Sequence, residues 1–226
     1  MDRENVFKSY QLDPDPHGSI KFQLQEMPKF FADNGRGPKE PHIHTFYQII
    51  WFRRGHGSHF VDFKEYPVTD NTLFFLSPGQ VHYFEENDDF EGYVIHFNED
   101  FMSDEGSSEN VFLKYNLFNA FDAVPYYNMT EADTERLEYI VSEMKAELEN
   151  ETVFAHGDVL KYLIKLFLIH VQRLGIRGTG IPLCINNSSN RTFVRFRQML
   201  EHHYRDIHTV KEYASMLNVS TKTLTN

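Results

Sequence analysis

Short aromatic and β-branched runs, broken by turn-forming residues, fill the chain between about residues 20 and 102. The turn-forming segments include Thr69-Asp70-Asn71 and Ser77-Pro78-Gly79. Runs of this length between such turns are typical of strands. Several short strands at this spacing predict an antiparallel sandwich or barrel. The runs are Phe46–Phe52, Leu73–Leu76, Val81–Phe84 and Gly92–Phe97.

The pattern changes to a helical one after Thr130. Thr130 is suited to cap a helix, and Glu131 and Asp133 place acidic groups in its first turn. Apolar residues then recur at i, i+4, i+7 and i+11, which is one stripe of a helix. A second helix, from about Ala155 to Leu174, is apolar on more than one face.

A helix that is apolar on two sides must bury both of them. One side can cover the strands, and a second copy of the chain can cover the other. The alternative is that both sides pack within one protomer. We predict a homodimer whose interface lies on the helical pair, at Leu137, Val141, Met144, Leu148, Leu163 and Phe167.

The last nineteen residues, 208–226, fit a helix-turn-helix. Ala214 is the small residue where two helices cross, and Asn218, four positions later, can take the left-handed conformation of the turn. Ser220 is suited to cap the second helix. An ordinary helix pair is the alternative, since short matches to this motif are common. The residues that would face DNA are Thr221, Lys222, Thr225 and Asn226.

Composition and charge limit the class of protein. No window of about 18 apolar residues predicts a membrane span, and the single Cys184 suits a reducing compartment, so we expect a soluble, cytoplasmic protein. The net charge is −11, yet the part from Asn190 onward has six basic residues and three acidic ones. An acidic body with a basic end is expected when only the end meets phosphate.

Histidines in the strand region suggest a binding site. His42, His44 and Gln48 lie at even offsets, so a strand would point all three to one face, while Tyr47 and Trp51 would pack under the helices. Polar groups on an apolar, aromatic wall are typical of a small-molecule pocket. The predicted pocket residues are His42, His44, Phe46, Gln48, His82 and Phe84.

The other histidines are given lesser roles. His56 and His59 lie near a predicted turn, where we expect them to be exposed or structural. His96 could line the interior of the strand domain or satisfy a neighbour in the core, and we favour the core.

The spacing of these histidines resembles that of the cupin barrel. His42, His44, Gln48 and Gly55 follow its first motif, with Gln in place of Glu, and Gly79 and His82 follow part of its second. In metal-binding cupins these positions hold a divalent ion, so the resemblance implies His42, His44, Gln48 and His82 as ligands. The loss of the carboxylate favours a metal-free pocket instead, and we expect no catalytic residue, metal or other cofactor.

The order of the parts resembles the AraC family of transcription regulators. The runs LFFLSPGQVHYF, from Leu73 to Phe84, and GYVIHFNEDFM, from Gly92 to Met102, are similar to its sensor domain. The run KEYASMLNVSTKTL, from Lys211 to Leu224, is similar to its first helix-turn-helix. The resemblance implies a non-enzymatic regulator that binds a small effector such as a sugar, dimerises and reads DNA. The segment Met1–Ser19 would close over the effector.

These inferences give an α+β fold with four parts. Residues 1–130 are expected to form a cupin-like or jelly-roll-like antiparallel barrel, and residues 131–175 the helical pair. Residues 176–190 would be a linker, and residues 191–226 an incomplete helix-turn-helix domain that binds DNA weakly or not at all without the rest of that domain. The alternative is a stand-alone metal-dependent cupin enzyme, an oxygenase or a sugar isomerase. The effector, the operator and the direction of regulation do not follow from the sequence.

Overall fold

The computed structural model has ten strands among the residues it describes, which are 7–13, 21–85, 89–103, 116–118, 125–150, 152–179, 192, 195–196, 199–200 and 203–225. They are β1 (Lys8–Tyr10), β2 (Phe22–Glu26), β3 (His42–His44), β4 (Tyr47–Arg54), β5 (Gly57–Val61), β6 (Lys64–Val68), β7 (Thr72–Leu76), β8 (His82–Phe84), β9 (Glu91–Phe97) and β10 (Tyr126–Asn128). One sheet has the order β1-β3-β8-β5-β6 and the other the order β10-β7-β4-β9-β2. All neighbouring strands are antiparallel except β1 and β3.

The helices follow the strands for the most part. They are α1 (Met27–Asn34), α2 (Glu99–Met102), α3 (Glu131–Leu148), α4 (His156–Thr179), α5 (Val210–Met216) and α6 (Thr221–Thr225), with 3-10 turns at Gly37–Lys39 and Asn116–Phe118. The predicted start of α3 is confirmed, with Thr130 at the cap position and Glu131 and Asp133 in the first turn. No helix of the described residues combines the length and the apolar character that crossing a membrane requires.

Strand β4 lies between two hydrophobic cores, and its side chains point alternately into one and the other. Ile50 and Phe52 point into the space between the two sheets, where they join side chains such as Val61 and Phe84 of the facing sheet. Ile49 and Trp51 point the other way, into the core beneath α3 and α4. The prediction that Tyr47 and Trp51 pack under the helices is confirmed: Trp51 lies edge-on to Phe167 of α4, with ring centroids 6.1 Å apart.

The predicted barrel is not closed. The two sheets stack face to face, and no ladder among the described strands joins one sheet to the other. Strand β6 lies at the edge of its sheet and contains Pro67, which has no N–H to donate to a further strand. The fold is therefore an α+β sandwich of two mostly antiparallel sheets with a helical layer.

The residues predicted for a dimer interface lie in the core of the protomer instead. Four of them are fully buried: Leu137, Val141, Met144 and Phe167. Leu148 and Leu163 are half-buried against the same core. These side chains cover the outer face of the sheet that contains β4. Because they pack on that sheet, they are not available for contact with a second copy of the chain. The face of α4 that remains exposed has other apolar residues: Val159, Tyr162, Leu166 and Ile169.

The C-terminal segment forms two short helices around a tight turn. Asn218 takes the left-handed conformation, with φ of 56°, as the sequence predicted. Thr209 caps α5, since its hydroxyl oxygen accepts from the N–H of Glu212, and Ser220 accepts from the N–H of Thr223 at 3.0 Å. Ala214 is buried where α5 meets the turn.

Candidate functional site

Strands β3 and β8 bring three histidines together. His42 and His44 are two residues apart on β3, so both point into the space between the sheets and both are buried. His82 on β8 is the antiparallel partner of His42. Gly79, with φ of 81°, turns the chain before β8 and donates its N–H to the carbonyl oxygen of His44 at 2.9 Å. The turn thereby fixes His82 opposite the two histidines of β3.

The imidazoles form a chain through the core. Nε2 of His44 lies 2.6 Å from Nε2 of His82, and Nδ1 of His82 lies 3.1 Å from Nε2 of His59. His42 donates from Nδ1 to the carbonyl oxygen of Glu40 at 2.8 Å, so its Nε2 is the nitrogen with the free lone pair. One ring nitrogen from each of His42, His44 and His82 lies within 4.8 Å of the others.

Burial keeps these imidazoles neutral. The pKa of His44, His59 and His96 is lowered to about 3 each, mainly by loss of hydration and to a lesser extent by the neighbouring histidines. The same causes hold the pKa of His82 well below 6.5, and burial lowers that of His42. At neutral pH the cluster therefore presents lone pairs and single N–H groups rather than positive charge.

A cavity of about 310 Å³ lies next to the cluster. Its wall is formed by β1 and the residues after it, by β2, by α1 and by the β3–β4 region. Of the predicted pocket residues, His42, His44, Phe46 and Gln48 line it. His82 and Phe84 are buried behind that wall, where Phe84 stacks on His59 with ring centroids 4.8 Å apart.

Among the described residues, Nε2 of His96 on the cavity wall is buried without a hydrogen-bond partner, and Oε1 of Gln48 and Nδ1 of His44 have none apart from the interaction between these two side chains. Gln48 and His96 are paired across β4 and β9, which places both side chains on the inner face of the sheet. Buried polar groups are almost always fully paired, so incompletely paired ones in this wall make the cavity a candidate ligand site.

The predicted pocket residues did not include two histidines that lie at the site, His59 and His96. His59, expected at a turn, lies within β5 and is fully buried, and His96 lines the cavity as well as the core. In β9, Val94 and His96 alternate with Ile95 and Phe97, and this period of two is the signal that assigns His96 to the inner face.

Strand β1 lies beside the cluster, at the edge of the same sheet. It pairs with β3 in parallel, and the ring of Tyr10 contacts the ring of His42 edge-on at 5.3 Å. The carbonyl oxygen of Tyr10 accepts from the N–H of Thr45 at 3.1 Å. Residues 7–13 of the predicted N-terminal arm are described and reach the cavity; the rest of the arm, up to Ser19, falls outside the described residues.

The predicted DNA-facing residues lie on α6. Thr221, Lys222 and Thr225 are exposed there, and Asn226 lies outside the described residues. Cys184 and most of the predicted linker, from 180 onward, lie outside them too.

Comparison with known proteins identifies the class of domain. The profile of the AraC-like ligand binding domain matches residues 33–163, which include eight of the residues that line the cavity, strands β3 to β10, helix α3 and the start of α4. The chain belongs to this family, whose domains are ligand-sensing regulatory domains. No curated protein matches the sequence.

Solved structures that are similar to this chain include those of ToxT and CuxR. Apo ToxT K231A from Vibrio cholerae strain SCE256 is 13% identical, with a TM-score of 0.45 over 92% of this chain and 73% of that one. The AraC-like transcriptional activator CuxR is 11% identical, with a TM-score of 0.36 over 90% of this chain and 65% of that one.

Proposed function

We propose that this chain is the sensing and dimerising part of a DNA-binding transcription regulator, and that the cavity beside His44 binds its small-molecule effector. One observation carries the proposal: the family's ligand-binding domain here contains a cavity whose wall holds incompletely paired, buried polar atoms. An effector that pairs with these atoms gains hydrogen bonds that they do not otherwise make.

The cavity wall favours a small polar metabolite with one apolar face, such as a sugar. Phe46 and Phe30 supply aromatic surface, and Gln48, Gln23 and His96 supply donors and acceptors. No Lys or Arg is among the described residues of the wall, and its histidines are neutral. An anionic effector would therefore find no opposite charge there.

Replacement of Gln48 tests the proposed binding site. A thermal-shift screen of sugars and related metabolites should identify an effector, because a ligand that binds only the folded state raises Tm. Gln48→Leu should then weaken effector binding by about tenfold or more in calorimetry. Gln172→Leu is the matched control, since Gln172 is also buried with an unpartnered Oε1 but lies on α4, away from the cavity wall. Equal losses in the two variants would argue against binding in this cavity.

The proposal gives each segment of the chain a role. Residues 1–130 sense the effector, and residues 131–175 hold two protomers together. Residues 176–190 link these parts to the DNA-binding domain, which begins with residues 191–226. We place the dimer contact on the exposed apolar stripe of α4, at Val159, Tyr162, Leu166 and Ile169, which recur at helical spacing. Thr221, Lys222 and Thr225 would contact DNA, within a regulator that acts in the cytoplasm.

The enzyme alternative makes a different prediction for the same cavity. A metal-dependent oxygenase or isomerase would convert the bound metabolite, whereas a sensor returns it unchanged. Recovery of the identified effector unaltered after prolonged incubation with the protein, with and without added divalent ions, would support the regulator. Formation of a product at a rate proportional to protein concentration would support the enzyme.

A further inference from the structure

The cavity beside His44 differs in charge and exposure from one end to the other. At its inner end, His44, Gln48 and His96 are almost fully buried. Burial lowers the pKa of His44 and His96 to about 3, so both imidazoles are uncharged at neutral pH. Nε2 of His96 has no hydrogen-bond partner among the described residues. This end can therefore bind a neutral polar group, such as a hydroxyl, but it offers no charge to an ion.

The outer end of the cavity is acidic. Asp13 and Asp33 line it there, and both are exposed. Oδ2 of Asp33 accepts from Nε2 of Gln25 on β2 at 3.4 Å, and because Gln25 also lines the cavity, this contact keeps the carboxylate beside it. Asp33 lies in the last turn of α1, where the terminal carbonyl groups of a helix carry partial negative charge and where α1 has no basic residue.

Basic side chains do not neutralise this end of the wall. No Lys or Arg is among the described residues that line the cavity. Lys8 on β1 is two positions from Tyr10, but its ammonium group lies over the ring of Tyr10, with the nitrogen 4.8 Å from the ring centroid. Arg36 and Lys39 follow α1 and are not part of the wall either. The two carboxylates therefore make the outer end electronegative.

We propose that the effector is an amine of the size of a monosaccharide, whose hydroxyl groups pair with the buried inner end and whose protonated amino group lies beside Asp33 and Asp13. The inference rests on the proposed sensor function and names the class of molecule that is sensed. An amino sugar has this chemistry. The cavity volume of about 310 Å³ is at the lower end of the range for small-molecule sites and suits a single ring, one face of which Phe30 and Phe46 can cover.

The two ends of the cavity fix the orientation of such a molecule. An ammonium group at the inner end would lose its hydration without gaining an opposite charge, which is unfavourable. At the outer end the same group keeps part of its hydration and gains charge-assisted hydrogen bonds to carboxylates. Because these carboxylates are exposed, their attraction is modest and serves mainly to select the amine over the corresponding alcohol.

Matched pairs of sugars test the proposal. Thermal shift and calorimetry on the full chain at neutral pH would compare glucosamine, galactosamine and mannosamine with glucose, galactose and mannose. We expect at least one amino sugar to bind about tenfold more tightly than the sugar that has a hydroxyl group in its place. The N-acetyl derivative, which has no charge, should lose this preference. Added NaCl should reduce the preference too, because the carboxylates are exposed.

Asp33→Asn separates the effect of charge from that of shape. It should weaken binding of the amino sugar by about fivefold and leave binding of the neutral sugar unchanged. Asp158→Asn is the matched control, since Asp158 is also exposed but lies in the first turn of α4, away from the cavity wall. Asp33 is itself exposed, so the variant should fold, and the Tm of the ligand-free protein checks this.

The outcomes distinguish the amine from the sensor function as a whole. A neutral sugar that binds as tightly as its amino counterpart would overturn the inference, and so would an amino sugar that Asp33→Asn and Asp158→Asn affect equally. Absence of binding by every amino sugar would also overturn it. In each of these cases, a neutral metabolite that raises Tm would leave the sensor function standing. If no metabolite of either kind binds, the inference and the sensor function both fail.

Discussion

His96 shows how a single buried side chain can make folding depend on pH. Its ring is almost fully enclosed between Phe46 and Phe30, and Nε2 has no hydrogen-bond partner in the part of the chain that the structure describes. Burial lowers its folded-state pKa to about 3, whereas in the unfolded chain it has the ordinary value of 6.5. Between these values the unfolded chain binds more protons than the folded protein, so stability falls as the pH falls below 6.5.

We predict that the protein is markedly less stable at pH 5 than at pH 7.5. Each histidine held near a pKa of 3 contributes a loss of about 2 kcal/mol between pH 6.5 and 5, and His44, His59 and His96 share this shift. Urea unfolding at several pH values measures the slope. His96→Gln should reduce the slope by about one proton, and an unchanged slope in that variant would show that His96 is protonated in the folded state.

At the residue scale, the sequence predicted only part of the site. The even spacing of His42, His44 and Gln48 is local information, and all three do line one cavity. They do not share one face of a strand, because His42 and His44 lie on β3 and Gln48 lies on β4 of the facing sheet. The contact of His59 with His82 depends instead on how β5 pairs with β8 across 23 positions of sequence. No periodicity within either segment contains that pairing, because register between strands is set by the whole sheet.

At the level of elements, helix α4 has two faces with different roles. Phe167 is fully buried against Trp51, and Leu166 next to it is 43% exposed. The alternation follows from helical geometry, since neighbouring residues on a helix point about 100° apart. A substitution at Phe167 therefore tests the core of the protomer, and one at Leu166 tests its outer surface.

We predict opposite outcomes for substitutions at these two positions. Phe167→Ala should lower the free energy of unfolding by about 3–5 kcal/mol, because it leaves a cavity beneath the sheet. Leu166→Asp should leave that free energy within about 1 kcal/mol but convert a dimer into a monomer in light scattering. If Leu166→Asp remains a dimer, the contact between protomers lies elsewhere on the surface.

The turn between α5 and α6 supplies a third test. Asn218 has φ of 56°, where Gly is comfortable and β-branched residues are strained. Asn218→Gly should therefore preserve the helix pair, whereas Asn218→Val should unfold it at a cost of about 1–2 kcal/mol or more. Hydrogen exchange of the amides of α5, compared between the variants, measures the difference. Equal protection in both would contradict a fixed turn.

Elements with strong local signals were predicted well. Acidic residues in a first turn and a recurring apolar stripe place the start of α3 correctly, because both features lie within the helix itself. Closure of the strands into a barrel was wrong, because closure depends on whether two edge strands meet. The apolar stripe of α3 was assigned to a dimer interface, but it packs on the sheet of its own protomer. The spacing of apolar residues predicts that a face is buried, but it does not show which surface buries it.

On the scale of the whole molecule, the sheet that contains β4 borders both the helical layer and the cavity. The sheet that contains β4 has helices on its outer face and the cavity on its inner face, so Trp51 and Gln48 belong to one strand with different surroundings. A change of strand position at the cavity would reach α3 and α4 through the packed side chains of that strand. This arrangement links the site of binding to the surface that we propose for dimerisation.

The parallel pairing of β1 with β3 has a consequence for kinetics. Tyr10 lies in the strand next to the one that carries His42 and His44, and the segment from Tyr10 to Asp13 forms part of the cavity wall. A three-residue strand held by few hydrogen bonds opens far more easily than the whole domain unfolds. Detachment of β1 would remove one side of the cavity wall, so we expect this opening to contribute to the rate at which a bound molecule leaves. Occupants of different affinity would share that contribution, because it depends on the strand and not on the molecule in the cavity.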